Sequence, residues 1–125
     1  MCNVLVIDDE RMILSLVEQV LMRMDYTVET AENGNMGIEK FDRGDYDLVI
    51  TDIRMPEADG NRVVDHIRNS KRKHTPVIGM SGTPWELVNS KFDHVLPKPF
   101  QIGSLMETAR KLTAKVCRPM RRDPE

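Results

Sequence analysis

The 125-residue chain is poor in cysteine: it has only Cys2 and Cys117, near opposite ends. Their separation offers no metal-ligand spacing and no secretory leader stands ahead of them, so the reading is two reduced thiols in a cytoplasmic protein. Long apolar runs are also missing. The first, Val4 to Ile7, is far too short for a signal-peptide core or a membrane span, which argues against membrane insertion. Nor does one charge dominate: 18 Lys and Arg against 20 Asp and Glu leave a formal net charge of −2. A general nucleic-acid binder would be basic, so direct nucleic-acid binding is not expected. No internal repeat, low-complexity stretch or interdomain linker interrupts the chain. What is present is ordinary for a soluble globule, with 40 % apolar and 30 % charged residues. That length closes one core without staples. The expected division is one domain over residues 1–117 and a frayed tail over 118–125, where two prolines and alternating charge occur.

Strand and helix patterns alternate with little wasted chain. Val4-Leu5-Val6-Ile7 is continuous, apolar and rich in β-branched residues, as in a strand buried on both faces of a parallel sheet. After Asp8-Asp9, the residues Met12, Ile13, Leu16, Val17, Val20, Leu21 and Met24 recur at helical spacing as one broad apolar face. Thr27 to Ala31 reads as a second strand. Asn33-Gly34 reads as a turn, and Ile38 and Phe41 mark a shorter helix ending near Gly44. Leu48-Val49-Ile50 repeats the buried-strand pattern and ends in Asp52. A loop with Pro56 and Gly60 leads to a third helical face at Val63, Val64 and Ile67. Pro76 to Met80 is a fourth strand, ending at Ser81-Gly82. Pro84 to Ser90 has room for about two helical turns. His94 to Leu96 is a brief fifth strand before Lys98-Pro99. A last helix runs from about Phe100, with Ile102, Leu105, Met106, Ala109, Leu112 and Val116 on one side. Five strands alternating with five helices predict a doubly wound α/β sandwich with a parallel sheet and helices on both faces.

In such sheets the functional crevice lies at the carboxyl ends of the strands. Asp8 and Asp9 follow the first strand, Asp52 ends the third, Ser81 the fourth and Lys98 follows the fifth. Three carboxylates drawn together must take up protons or bind a cation. Oxygen ligands with room for water and a phosphate suit Mg²⁺. A lysine and a serine hydroxyl beside them supply charge and a hydrogen bond to phosphate oxygens, which is most of what phosphoryl transfer requires. Singly, each residue has a plainer role. Asp8 or Asp9 would cap the first helix, Asp52 would open an Asx turn, Ser81 would satisfy a loop amide, and Lys98 would be a surface lysine. Jointly, at one sheet edge, the plainer roles lose.

The segments Val4-Leu5-Val6-Ile7-Asp8-Asp9-Glu10, Asp47 to Pro56 with Asp59-Gly60, Met80-Ser81-Gly82 and Leu96-Pro97-Lys98-Pro99-Phe100 together resemble the response-regulator receiver family. The resemblance spans about residues 2 to 116, with every marker in order. It implies the flavodoxin-like strand order 2-1-3-4-5. It also implies Asp52 as acceptor of a phosphoryl group from a phosphohistidine of a sensor histidine kinase or a phosphotransfer protein. Asp9 and Asp52 would be direct Mg²⁺ ligands with the Arg54 backbone carbonyl, and Asp8 would act through water; Mn²⁺ would substitute. Lys98 would pair with phosphoryl oxygens, and Ser81 would swing toward them. The Lys98–Pro99 peptide would be cis. The protein would then be a bacterial phosphoacceptor switch rather than an enzyme with turnover, with its downstream target and any homodimer left open.

Two features depart from that family's pattern. The interval from Ser81 to Lys98 is several residues short, so the helix after the fourth strand should be stunted. Val95 stands where many members place a ring that rotates inward. Trp85, the single tryptophan, would report or replace that motion, or would pack over the shortened helix. His66, His74 and His94 lack ligand spacing and read as solvated or capping groups. Lys71-Arg72-Lys73-His74 reads as charge favouring a helix C-terminus, and the methionines as flexible core filler. Other functions fit less well. A haloacid-dehalogenase-type phosphatase would carry Asp-x-Asp and a cap domain. A flavin or nucleotide binder would need a phosphate loop after the first strand, where Asp8-Asp9-Glu10 repels phosphate. A pseudo-receiver that only docks would be expected to lack an active-site group, and none is missing.

Overall fold

In a computed structural model of the chain, residues 2–82 and 91–117 are described. Five parallel strands are present: β1 (Asn3–Ile7), β2 (Thr27–Ala31), β3 (Leu48–Asp52), β4 (Val77–Ser81) and β5 (His94–Pro97). Their order is β2-β1-β3-β4-β5, as the resemblance implied. Four helices are seen among the described residues: α1 (Arg11–Arg23), α2 (Gly34–Arg43), α3 (Gly60–Arg68) and α4 (Ile102–Thr113). The two-turn helix expected between Pro84 and Ser90, with Trp85, lies outside the described residues, as does the tail over 118–125.

Alternate strand residues face opposite sides of a sheet, and here both sides are covered. Val4, Val6, Ile50, Ile78, Met80 and Leu96 pack on one side with Leu14, Val17 and Leu21 of α1 and Leu105 and Ala109 of α4. Leu5, Ile7, Val49 and Val77 pack on the other with Phe41 of α2 and Val63, Val64 and Ile67 of α3. This double burial is why β1, β3 and β4 read as unbroken apolar runs. Gly37 lets α2 lie close to β1, because a Cβ there would collide with the Ile7 side chain.

Several local expectations change. Asn33-Gly34 is not a separate turn: Asn33 is the N-cap of α2, its Oδ1 accepting from the Met36 amide at 2.8 Å. The apolar face of α1 is narrower than the sequence pattern implied, with Met12 at 84 % exposure and Leu16 also on the surface. Only one helix face can touch the sheet, and Leu14, Val17, Val20 and Leu21 fill it. The methionines divide accordingly: Met55 and Met80 are buried, whereas Met12, Met22 and Met36 face outward. The last helix is shorter at both ends than expected, and Ile102 and Val116 are exposed. Its final turn tightens, the Val116 amide donating to the Thr113 carbonyl at 3.2 Å, and the Cys117 amide donates to the same carbonyl at 2.7 Å, which holds Cys117 inward.

The two cysteines are joined as a disulfide, not two separate thiols. A helix that returns antiparallel to its strand ends near where the strands begin. The close of α4 therefore meets the residue before β1, although 115 positions separate them.

Candidate functional site

Because the strands are parallel, their carboxyl ends deliver Asp8, Asp52, Ser81 and Lys98 to one edge of the sheet. Asp8 is fully buried, and Asp52 and Ser81 nearly so. The Lys98 ammonium stands 3.3 Å from Asp8 Oδ2, 3.3 Å from Asp52 Oδ1 and 3.2 Å from Glu10 Oε1. Asp9 is exposed, yet its carboxylate joins those of Asp8 and Asp52, with one oxygen from each lying within 4.8 Å of the others.

Backbone contacts hold these groups in place. The Glu10 amide donates to Asp8 Oδ1 at 2.8 Å, which orients the buried carboxylate as the chain turns into α1. The helix N-cap is Glu10, and its side chain makes no capping bond. Neither Asp8 nor Asp9 therefore has the plain capping role. Asp52 ends β3 beside Met80, and the Ile53 amide continues the ladder to the Met80 carbonyl at 2.9 Å. The Lys98 amide donates to the Ser81 carbonyl at 2.7 Å, tying the lysine and serine backbones together. Gly60 opens α3 directly behind the acid: its amide donates to the Ile53 carbonyl, and a Cβ there would lie 2.6 Å from the Asp52 carbonyl oxygen. Only glycine fits so close an approach. Arg54 follows on the loop leaving β3, with its side chain exposed.

The electrostatics are those of an acidic pocket short of positive charge. Burial, then the neighbouring Asp8 carboxylate, push the Asp52 pKa up to about 6, although Lys98 works against the shift. Burial also raises Asp8, against the Glu10 amide and Lys98. Burial alone would lower Lys98; the Asp52 and Asp8 carboxylates and the Glu10 hydrogen bond outweigh it, and its pKa is raised. One ammonium thus pairs with three acids, Asp8, Glu10 and Asp52, and Asp9 adds a fourth carboxylate to the cluster. The donor set is hard oxygen throughout, and the surplus of negative charge fits a divalent cation such as Mg²⁺.

Asp8, Asp9, Asp52 and Lys98 meet here, and Ser81 is joined to Lys98 through its backbone. Glu10 is the addition: it belonged to the resemblance but had no role assigned. Three consecutive acids beside a single lysine are the signal that a third carboxylate would reach it. Val95 is half-buried against the core cluster that contains Val77 and Phe92. The histidines are not grouped. His66 Nε2 donates to Asp42 at 2.8 Å and its ring meets Phe41 edge-on, linking α3 to α2. Arg72 of the basic run reaches the Gly44 carbonyl rather than the end of α3.

Comparison with known proteins agrees with this fold. The family model for the response regulator receiver domain matches residues 4–110. Among curated relatives, the transcriptional regulatory protein ResD of Bacillus subtilis is 41 % identical over 76 residues, 61 % of this chain and 31 % of its own. The transcriptional regulatory protein TcrA of Mycobacterium tuberculosis is 30 % identical over 118 residues, 90 % of this chain and 46 % of its own. The chain thus spans about a third to a half of these relatives' length. Among solved structures, the response regulator TrrA of Thermotoga maritima in complex with Mg²⁺-BeF superposes with a TM-score of 0.82 at 36 % identity, over 90 % of this chain and 99 % of that one. A parallel sheet ending in an acidic pocket around one lysine is the architecture of a phosphoacceptor module. The chain belongs to the response-regulator receiver family, the signalling domains of two-component systems.

No described helix is long and apolar enough to cross a membrane.

Proposed function

We propose that Asp52 is the phosphoacceptor and that the partner is a sensor histidine kinase or a phosphotransfer protein. The carrying observation is the nearly buried Asp52 carboxylate, 3.3 Å from the Lys98 ammonium and grouped with Asp8 and Asp9. An Asp52 oxygen attacks the phosphorus of a phosphohistidine in line; the P–N bond breaks and its electron pair stays on the imidazole. Asp52 must be ionised to attack, and a pKa of about 6 keeps most of it so at neutral pH. Lys98 supplies a fixed positive charge to the phosphoryl oxygens. Asp9, Asp52 and the Arg54 carbonyl, with Asp8 beside them, would hold Mg²⁺ or Mn²⁺, and the ion would supply further positive charge to the phosphoryl oxygens. The Ser81 hydroxyl moves toward the new phosphoryl group, carrying Gly82 with it, while Val95 offers no ring to follow. The domain is a switch and not a catalyst of turnover.

A kinase partner is supported by the histidine kinase ThkA in complex with TrrA, which has the fold of this chain at 36 % identity and a TM-score of 0.79. Met12, exposed at the first turn of α1 two residues after the acidic triplet, offers an apolar contact beside the incoming histidine. The test is incubation with acetyl phosphate and Mg²⁺ followed by intact mass. One phosphoryl group should be gained and then lost in Asp52→Asn; full labelling of that variant would assign the acceptor elsewhere.

A further inference from the structure

The cysteine pair lies at the opposite end of the sheet from Asp52 and plays no part in phosphoryl transfer. Cys2 precedes β1, its carbonyl accepting from the Thr27 amide at 2.8 Å, so strand pairing with β2 holds it. Cys117 follows α4 by one tightened turn. Both are nearly inaccessible, within the core that contains Leu14, Leu21, Tyr26, Leu48 and Ala109. The Cα atoms are 5.2 Å apart, within the range that a bridge spans without backbone movement. Beside them, the Tyr26 and Thr113 hydroxyls bond at 3.0 Å in the interior, joining the start of β2 to the end of α4. The Asp47 carboxylate lies within 4.8 Å of both sulfurs and accepts from the Asn3 amide at 2.9 Å.

We propose that Cys2 and Cys117 form a reversible thiol–disulfide site that clamps the end of α4 to the start of β1. It closes by exchange with a low-molecular-weight disulfide of the glutathione class. One protein thiolate attacks a sulfur of that disulfide, forming a mixed disulfide and releasing one glutathione thiolate. The second protein thiolate attacks the protein sulfur of the mixed disulfide and expels the second glutathione. Two protein thiols are oxidised, one small disulfide is reduced, and the protons end on two glutathione thiols.

Cys117 is the entry point. The single turn beyond α4 opens at less cost than the pairing of Cys2 with β2, because helix ends fray locally. In the folded chain, burial of both sulfurs and the Asp47 charge, which repels an approaching anionic thiolate, slow exchange in either direction. In a compartment kept reduced the same residues remain two packed thiols; in an oxidising one they become a covalent staple around nearly the whole domain. A closed loop of this length removes much unfolded-chain entropy, so the bridge changes stability strongly. It leaves the acceptor alone, since a five-residue strand separates the two sheet edges by about 16 Å.

The experiment starts from wild-type chain reduced, freed of reductant and held without oxygen with oxidised glutathione. The product should be two hydrogens lighter than the reduced chain, with two glutathione thiols released and no adduct. Its Tm should exceed that of the reduced form by roughly 10–20 °C. Cys117→Ser and Cys2→Ser should hold at most one glutathione and show a Tm indifferent to reductant. Stable adducts on both wild-type thiols, or equal Tm values for the two forms, would overturn the clamp. One equivalent of zinc released from fresh protein by a thiol reagent would overturn it in favour of a Cys2–Asp47–Cys117 metal site. The comparison of reduced and oxidised wild type stands even where a serine variant fails to fold. Acetyl phosphate labelling of Asp52 should be equal in both forms. Labelling in one form alone would refute the independence of the two sites, whereas labelling in neither would refute the Asp52 reading and leave the clamp standing.

Discussion

Lys98 and Asp52 face each other at 3.3 Å across the carboxyl edge of the sheet, Asp52 at the end of β3 and Lys98 just past β5, with β4 between them. The lysine is shared: Asp8 and Glu10 take the other sides of the same ammonium. Lys98 is therefore one positive charge divided among three carboxylates.

Removing that charge should separate its two roles. In Lys98→Met the three aspartates lose their internal cation, so Mg²⁺ affinity should rise several-fold. The rate of acetyl phosphate labelling should fall by about tenfold or more, because a positive charge on the phosphoryl oxygens is gone. Metal titration and labelling kinetics on one preparation test both. A parallel fall in metal affinity would mean that Lys98 holds the carboxylates in place.

Asp52 should destabilise the metal-free fold. Its folded pKa of about 6 lies above the ordinary 3.8, so the native state binds the proton more tightly than the unfolded chain. Stability from this group rises as pH falls through about 6 toward 3.8 and is lost as pH rises through the same window. Asp52→Asn should then stabilise the metal-free protein at neutral pH by about 1–3 kcal/mol. It should also flatten the pH dependence there. Urea melts between pH 4 and 8 check this, and added Mg²⁺ should stabilise wild type alone.

Gly60 should report on the acid from behind. A methyl group there meets the Asp52 carbonyl and, at 2.7 Å, the Ile53 Cα, and both are backbone atoms that cannot step aside. Gly60→Ala should cost about 1–3 kcal/mol and slow phosphoryl uptake by displacing Asp52. Normal labelling in a destabilised variant would show that the strand end tolerates the shift.

Arg68 holds the other edge of the sheet. Its guanidinium donates to the carbonyls of Thr75 at 2.6 Å, Lys73 at 2.8 Å and Lys91 at 2.9 Å, and to Asp93 Oδ2 at 2.8 Å. Asp93 in turn accepts from the Val77 amide at 2.7 Å, so one side chain gathers the entries of β4 and β5. Arg68→Ala should lose about 2–4 kcal/mol by leaving these acceptors unmet. Arg68→Lys should recover less than half, since an ammonium cannot span them. Equal stability of the alanine variant in denaturant melts would remove Arg68 from this role.

Much of the site was legible because strand-end residues are readable from periodicity alone. Once β1, β3, β4 and β5 are recognised, parallel topology places Asp8, Asp52, Ser81 and Lys98 together without further information. Glu10 was less legible, because its contact depends on how the turn into α1 aims a side chain that stays 62 % exposed. The breadth of the α1 face misled for a related reason: Met12 and Leu16 have helical spacing, but spacing does not say how wide a stripe the sheet will cover.

The order of apolar runs, acids and glycines by itself determined the α/β architecture and the family. Burial on both faces of a parallel sheet demands those runs, and the acids sit where the runs stop. Tertiary structure alone decided that Cys2 and Cys117 meet. A pairing across 115 residues has no local signature; it arises because α4 runs back antiparallel to β5 and ends beside the first residue of the core. The same is true of Arg68, whose partners come from two separate segments, and of the shift of Asp52 toward pH 6. That shift exists only after folding has removed water from a carboxylate and set a second one beside it.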